Sequence, residues 1–227
     1  MTQVLEDQGL YRRSMEHDNC GVAMVADVEG RRSHRIVAQA LSALARLEHR
    51  GATGSDPLTG DGAGVLTQLP HRLLSEVCPF PLPDPGAYGV GMMFLPPDPW
   101  GHPRIKARIE RGLYEAGLSC LGWREVPVDE SVCGPLARES APAVCQVFVE
   151  RGDLTEKEFD QRLYLARKNV ERFGRSEHEE EQFYFCSFSS RTIVYKGLLL
   201  PDRLAEFYRD LADPRYESAV AVVHQRF

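Results

Sequence analysis

No pair of cysteines in this 227-residue chain has C-x-x-C spacing, no apolar run approaches the length of a membrane span, and basic residues nowhere cluster. Each absence closes off a class of function. Zinc and iron–sulfur sites want closely spaced thiolates, and a disulfide scaffold wants a denser cysteine count in a secreted chain. The six cysteines, Cys20, Cys78, Cys120, Cys133, Cys145 and Cys186, are scattered, so all but Cys20 read as free, mostly buried small hydrophobes. A bilayer crossing needs about 20 apolar residues, which excludes a membrane partner of that kind. Nucleic acid as a main partner is excluded because phosphate neutralisation calls for a clustered basic face. Here 27 basic residues stand against 33 acidic ones, a net charge of −6. Residues 1–15 are mixed and polar and do not make a signal peptide, so a cytoplasmic location is expected.

What is present is ordinary for a globular chain, 43% hydrophobic and 26% charged, long enough for one sizeable core. Residues 1–19 carry little hydrophobic pattern and read as a leader. Strands are expected at 22–28, 63–69, 88–95, 120–126, 143–149, 183–188, 192–195 and 218–223. Helices are expected from Ser33 to Leu47 with Gly51 as the C′ stop, at 104–116, at 155–173 with Thr155 or Asp153 as cap, and at 201–211. The segment Cys78–Pro85 is too rich in proline for either regular element. Strands and helices alternate unevenly, and the close pair within 183–195 argues against a purely parallel sheet and for α+β layers.

Two stretches invite chemical readings. Gly60-Asp61-Gly62-Ala63-Gly64 lacks the third glycine of a dinucleotide fingerprint, is followed by a strand instead of a helix, and lacks the lysine of a phosphate loop. Nor does Asp56–Gly64 alternate oxygen ligands as a calcium loop does. The plain reading is a tight turn with close backbone approach. His17 and Asp18 have no second cluster of metal ligands to join. Cys20 alone would pass for a buried cysteine opening a first strand.

Four blocks give Cys20 more meaning. Glu16-His17-Asp18-Asn19-Cys20-Gly21, then Leu47-Glu48-His49-Arg50-Gly51-Ala52 with Asp56-Pro57 and Thr59–Gly64, then Ser189–Gly197, then His224-Gln225-Arg226-Phe227 follow one another in order. Together they resemble the amino-terminal class II glutamine amidotransferase domain of the glutamate synthase large subunit, an N-terminal nucleophile hydrolase. The resemblance implies a four-layer α/β/β/α sandwich with two antiparallel sheets. It implies cleavage before Cys20, so that 1–19 is a propeptide and 20–227 part of the amidotransferase domain. Cys20 becomes the catalytic nucleophile toward L-glutamine, and Arg226 the substrate-binding anchor for its α-carboxylate. His49 and Arg50 shape the loop after the first helix.

The family continues past the arginine with a Ser-Thr-Asn-Thr stretch, an Asn-Gly segment supplying oxyanion contacts and an acidic substrate ligand. The resemblance therefore implies a domain incomplete at its C-terminus, with the 218–223 strand lacking its flanking strands. No cofactor is expected within these residues. FMN and an iron–sulfur cluster belong to downstream synthase domains, and those domains or a complementing polypeptide are the expected partners. Two other readings stand beside this one: a truncated, non-catalytic fragment, and an amidotransferase of the purine or amino-sugar pathways.

Overall fold

The computed structural model describes residues 21–53, 56–174 and 182–226. The leader 1–19 and Cys20 lie outside the described residues. Among the described residues, eight strands form two antiparallel four-stranded sheets. The first holds β1 (Gly21–Ala26), β8 (Val220–Gln225), β2 (Ala63–Gln68) and β7 (Thr192–Gly197) in that order. The second holds β4 (Ser119–Glu125), β5 (Ala143–Glu150), β3 (Tyr88–Leu95) and β6 (Tyr184–Ser189). Consecutive strands β6 and β7 end up on an edge of each sheet, so one short connection carries the chain from one to the other.

Period-2 alternation decides what each sheet buries. In β3, Val90 and Met92 join Ile193, Tyr195, Ala221 and Val223 in the core shared by both sheets. Met93 and Leu95 point the other way, into a second core with Cys145, Val147 and Val149 of β5. That second core is closed by α3 (His102–Glu115) and α5 (Glu156–Gly174). Ile105, Ile109 and Leu113 of α3, and Phe159, Leu163, Ala166 and Val170 of α5, recur every three or four residues, which puts each set on one helix face. Thr155 and Glu158 form a reciprocal capping box at the start of α5: Thr155 N donates to Glu158 Oε2 at 3.0 Å and Glu158 N to Thr155 Oγ1 at 3.3 Å. The result is the expected α+β arrangement of two antiparallel sheets flanked by helices.

Several local expectations change. Helix α1 (His34–Ala45) stops at Arg46, and Glu48–Arg50 is a separate 3₁₀ turn, so Gly51 is not the helix stop. Ser33 precedes α1 without a side-chain cap and instead pairs with Ser218. Two short helices not anticipated, α2 (His71–Val77) and α4 (Pro135–Glu139), follow Pro70 and Gly134. The 201–211 helix is broken into a 3₁₀ turn, α6 (Leu204–Phe207) and α7 (Arg209–Ala212). The break falls at Tyr208, held in an extended conformation while its hydroxyl donates to Lys196 O at 2.7 Å. The last strand runs on to Gln225 and is no unflanked edge, because β1 and β2 pair with it on either side.

Candidate active site

Register brings the sequence blocks together at one end of the first sheet. Gly21, the residue after Cys20, is opposite Gln225, and Gln225 is also opposite Ala63. The start of β1, the end of β8 and the start of β2 thus form one row. Helix α1 packs on β1 and β8 through Ile36, Val37, Ala40 and Leu44, which delivers the Leu47–Gly51 turn over that row. A side chain at Gly21 would meet Arg50 Cβ at 3.1 Å and Leu47 Cβ at 3.3 Å, so the turn is seated directly on the start of β1. His49 shapes the turn through Nδ1, which lies 3.1 Å from Arg46 O.

The Asp61-Gly62 turn closes the row from the β2 side. Gly62 has φ +122°, a backbone that only glycine adopts readily. This conformation aims the Gly62 carbonyl at the Arg226 N–H, which donates to it at 2.8 Å. Asp61 N donates to Ala52 O at 3.0 Å, tying the two ends of the intervening loop together. The Asp61 carboxylate reaches the end of β8 with both oxygens. Oδ1 accepts from Gln225 Nε2 at 3.4 Å, and Oδ2 lies 3.5 Å from Arg226 Nε. Gly51 fits the same packing, since a Cβ there would run into the flexible end of Gln225 at Nε2 and lie 3.1 Å from Asp61 Oδ1.

The loop before this turn is docked elsewhere on the protein. Asp56 accepts from Leu58 N at 3.0 Å, from Thr59 Oγ1 at 2.8 Å and from Leu136 N in the first turn of α4 at 3.3 Å. The Leu58 N–H above all holds the Asp56 carboxyl below its usual range. As expected, the Gly60–Gly64 stretch leads into a strand rather than a phosphate-cradling helix.

Of the two site residues expected from the sequence, Arg226 is placed in this row and Cys20 lies outside the described residues. Asp61 and Gln225 were not anticipated as a pair. The signal for Gln225 is the alternation of β8, where Ala221 and Val223 face the shared core and a glutamine takes the next inward position. Ending that strand at Val223 hides it. The remaining cysteines are free thiols pushed up by burial, Cys78 and Cys120 to about 11 and Cys145 and Cys186 to about 12. Among the described residues, no group of three or more His, Cys, Asp or Glu side chains could hold a metal ion. Among the described residues, too, no helix is long and apolar enough to cross a membrane. A cleft of about 720 Å³ lies elsewhere, between β4, α2 and α7, and includes none of the row's residues.

Comparison with known proteins identifies the family. The family described as glutamine amidotransferases class-II matches residues 20–227, beginning at Cys20. The chain is 44% identical to the glutamate synthase [NADPH] large chain of Bacillus subtilis, over 99% of this chain and 15% of that protein. It is 43% identical to ferredoxin-dependent glutamate synthase 2 of Synechocystis, over 93% of this chain and 14% of that protein. Against the chloroplastic ferredoxin-dependent enzyme of Spinacia oleracea it is 39% identical, over 93% of this chain and 13% of that protein. The chain thus spans about one-seventh of the length of these relatives, matching them at their glutamine amidotransferase domain. This chain belongs to the class-II glutamine amidotransferases.

Proposed function

We propose that this chain releases ammonia from L-glutamine through a thioester on Cys20, as the amidotransferase part of a glutamate synthase. The observation that carries the reading is the convergence of Gly21, Arg50-Gly51, Asp61-Gly62 and Gln225-Arg226 at the strand end that directly follows Cys20.

A carboxamide is a poor electrophile, so its hydrolysis gains from a strong nucleophile and a covalent intermediate. A thiol with a reference pKa of about 8.5 is mostly protonated at neutral pH. Cleavage after Asn19 would free the α-amino group of Cys20, which titrates near ~7.7–8.0 and suits a general base. That amine takes the thiol proton as sulfur attacks the glutamine Cδ. The resulting ammonium returns the proton to the departing nitrogen, and the C–N bond breaks to give ammonia and a γ-glutamyl thioester. Water, deprotonated by the same amine, then attacks the thioester and releases glutamate and the thiol. With residues 1–19 attached, that nitrogen is an amide and cannot act as the base. Arg226 grips the substrate α-carboxylate, a role suited to a guanidinium because it can offer two parallel donors. Use of the ammonia on 2-oxoglutarate, with flavin and an iron–sulfur cluster, is assigned in this reading to polypeptide beyond these residues.

The test is the intact mass of the purified chain before and after exposure to a diazo-ketone analogue of glutamine. Loss of residues 1–19 together with one adduct on Cys20 is the expected result. A full-length mass with no adduct would assign the chain to a non-catalytic role.

A further inference from the structure

Gln225 is only 1% exposed, and it breaks the apolar pattern of its own strand face. A buried carboxamide is costly where its hydrogen bonds are not made. Gln225 makes one of them, from Nε2 to Asp61 Oδ1 at 3.4 Å, while its Oε1 has no partner among the described residues. Packing alone would be better served by a third apolar residue after Ala221 and Val223. The next residue, Arg226, is the one non-glycine described residue with positive φ, at +83°. Such a backbone is strained and persists where the surroundings over-determine it. Here the Arg226 N–H is held by Gly62 O at 2.8 Å, and the Arg226 carbonyl lies 3.2 Å from His224 Nδ1.

We propose that Gln225 is a positioning residue for Arg226, acting through Asp61. Its amide fixes one oxygen of the Asp61 carboxylate, and the other oxygen then faces Arg226 Nε at 3.5 Å. The guanidinium plane is thereby set before substrate arrives, and a preset donor loses less freedom when it receives a carboxylate. A neutral amide suits the position. A carboxylate at 225 would repel Asp61, and a hydrocarbon would leave Asp61 without this donor. The proposal rests on the reading of Arg226 as the α-carboxylate anchor and adds how that anchor is aimed.

The test uses saturation kinetics of Cys20 inactivation in the full mature chain. The diazo-ketone analogue of glutamine carries the α-carboxylate, and iodoacetamide, which lacks it, serves as the control. Gln225→Met keeps the volume and removes the amide, and Asp61→Asn removes the charge. For both variants the analogue concentration giving half-maximal rate should rise about tenfold or more, with the limiting rate and the iodoacetamide rate within about twofold of the parent. Unchanged half-saturation in Gln225→Met would overturn the proposal. So would an equal fall in reactivity toward both reagents, which marks a purely structural role. If the parent chain itself shows no saturable inactivation, the glutamine-site reading fails first and the positioning role falls with it.

Discussion

Arg124 and Asp210, 86 residues apart in the chain, meet inside the protein through two hydrogen bonds of 2.8 and 2.7 Å. Arg124 comes from the edge strand β4 and Asp210 from α7, and both side chains are more than nine-tenths buried. Gln146 Oε1 accepts from Arg124 at 2.9 Å, Gln146 Nε2 donates to the Tyr195 hydroxyl at 3.1 Å, and that hydroxyl donates to Asp210 Oδ2 at 2.9 Å. Tyr195 belongs to the first sheet and Gln146 to the second, so this closed network ties the sheets to each other and to α7.

Removing one partner of such a pair leaves a buried charge without compensation. Arg124→Ala should therefore cost about 3–5 kcal/mol. Replacing both partners with apolar residues of similar volume, as in Arg124→Met with Asp210→Leu, should cost much less, since no charge is left stranded. Urea denaturation of the parent, single and double variants measures both. A double variant as unstable as Arg124→Ala would contradict the stranded-charge account.

At the candidate site, Gly51→Ala places a Cβ against Gln225 Nε2 with Asp61 Oδ1 also close. The flexible end of Gln225 has to move, and overpacking of this kind typically costs about 1–3 kcal/mol. The variant should lose stability modestly and bind glutamine analogues more weakly, because the displaced side chain is the one that contacts Asp61. Chemical denaturation and analogue titration on one preparation would show whether the two losses appear together.

The ordered blocks are legible through their resemblance to the family, and the Gly60–Gly64 turn also through its own residue types. What the sequence could not convey is which ends of which strands meet. Gly21, Ala63 and Gln225 are joined by register alone, and nothing local to Arg124 points to Asp210. Helix α2 was hidden because its buried residues, Leu73 and Leu74, are too few to establish a period. The break between α6 and α7 was hidden because its cause is remote, a hydrogen bond from Tyr208 to the end of β7. The end of β8 escapes a hydrophobic pattern because His224 and Gln225 are polar, although their backbones continue the ladder with β1 and β2.

Acid should weaken one peripheral contact before the core. Arg215 holds the Asp213 carboxyl down at about 2, chiefly by side-chain hydrogen bonds that also extend from Arg215 to Glu76. A depressed carboxyl contributes stability that is present above its ordinary value of about 4 and is lost as pH falls toward about 2. Asp213→Asn should lie below the parent in melting temperature near neutrality and converge with it through that acid window. Parallel curves over the whole range would mean that the ion pair contributes nothing measurable.

Thiol chemistry should single out Cys20. Burial pushes Cys78 and Cys120 to about 11 and Cys145 and Cys186 to about 12, and raises Cys133 as well. At pH 7.5 a thiol at about 11 is ionised in roughly one molecule in several thousand, against about one in ten for an ordinary thiol. Since the thiolate is the reactive form, these five should alkylate slowly in the folded protein for reasons of ionisation as well as access. The proposed mechanism gives Cys20 the opposite character, with its own freed amine as base. Brief iodoacetamide treatment of mature protein at pH 7.5, followed by peptide mass mapping, should find one adduct, on Cys20, and further adducts only after denaturation. The rate at Cys20 should rise through the range where an α-amino group titrates, near ~7.7–8.0, and then level off. An inflection near ~8.5 instead, where an ordinary thiol titrates, would identify an unassisted thiol and exclude the amine as its base.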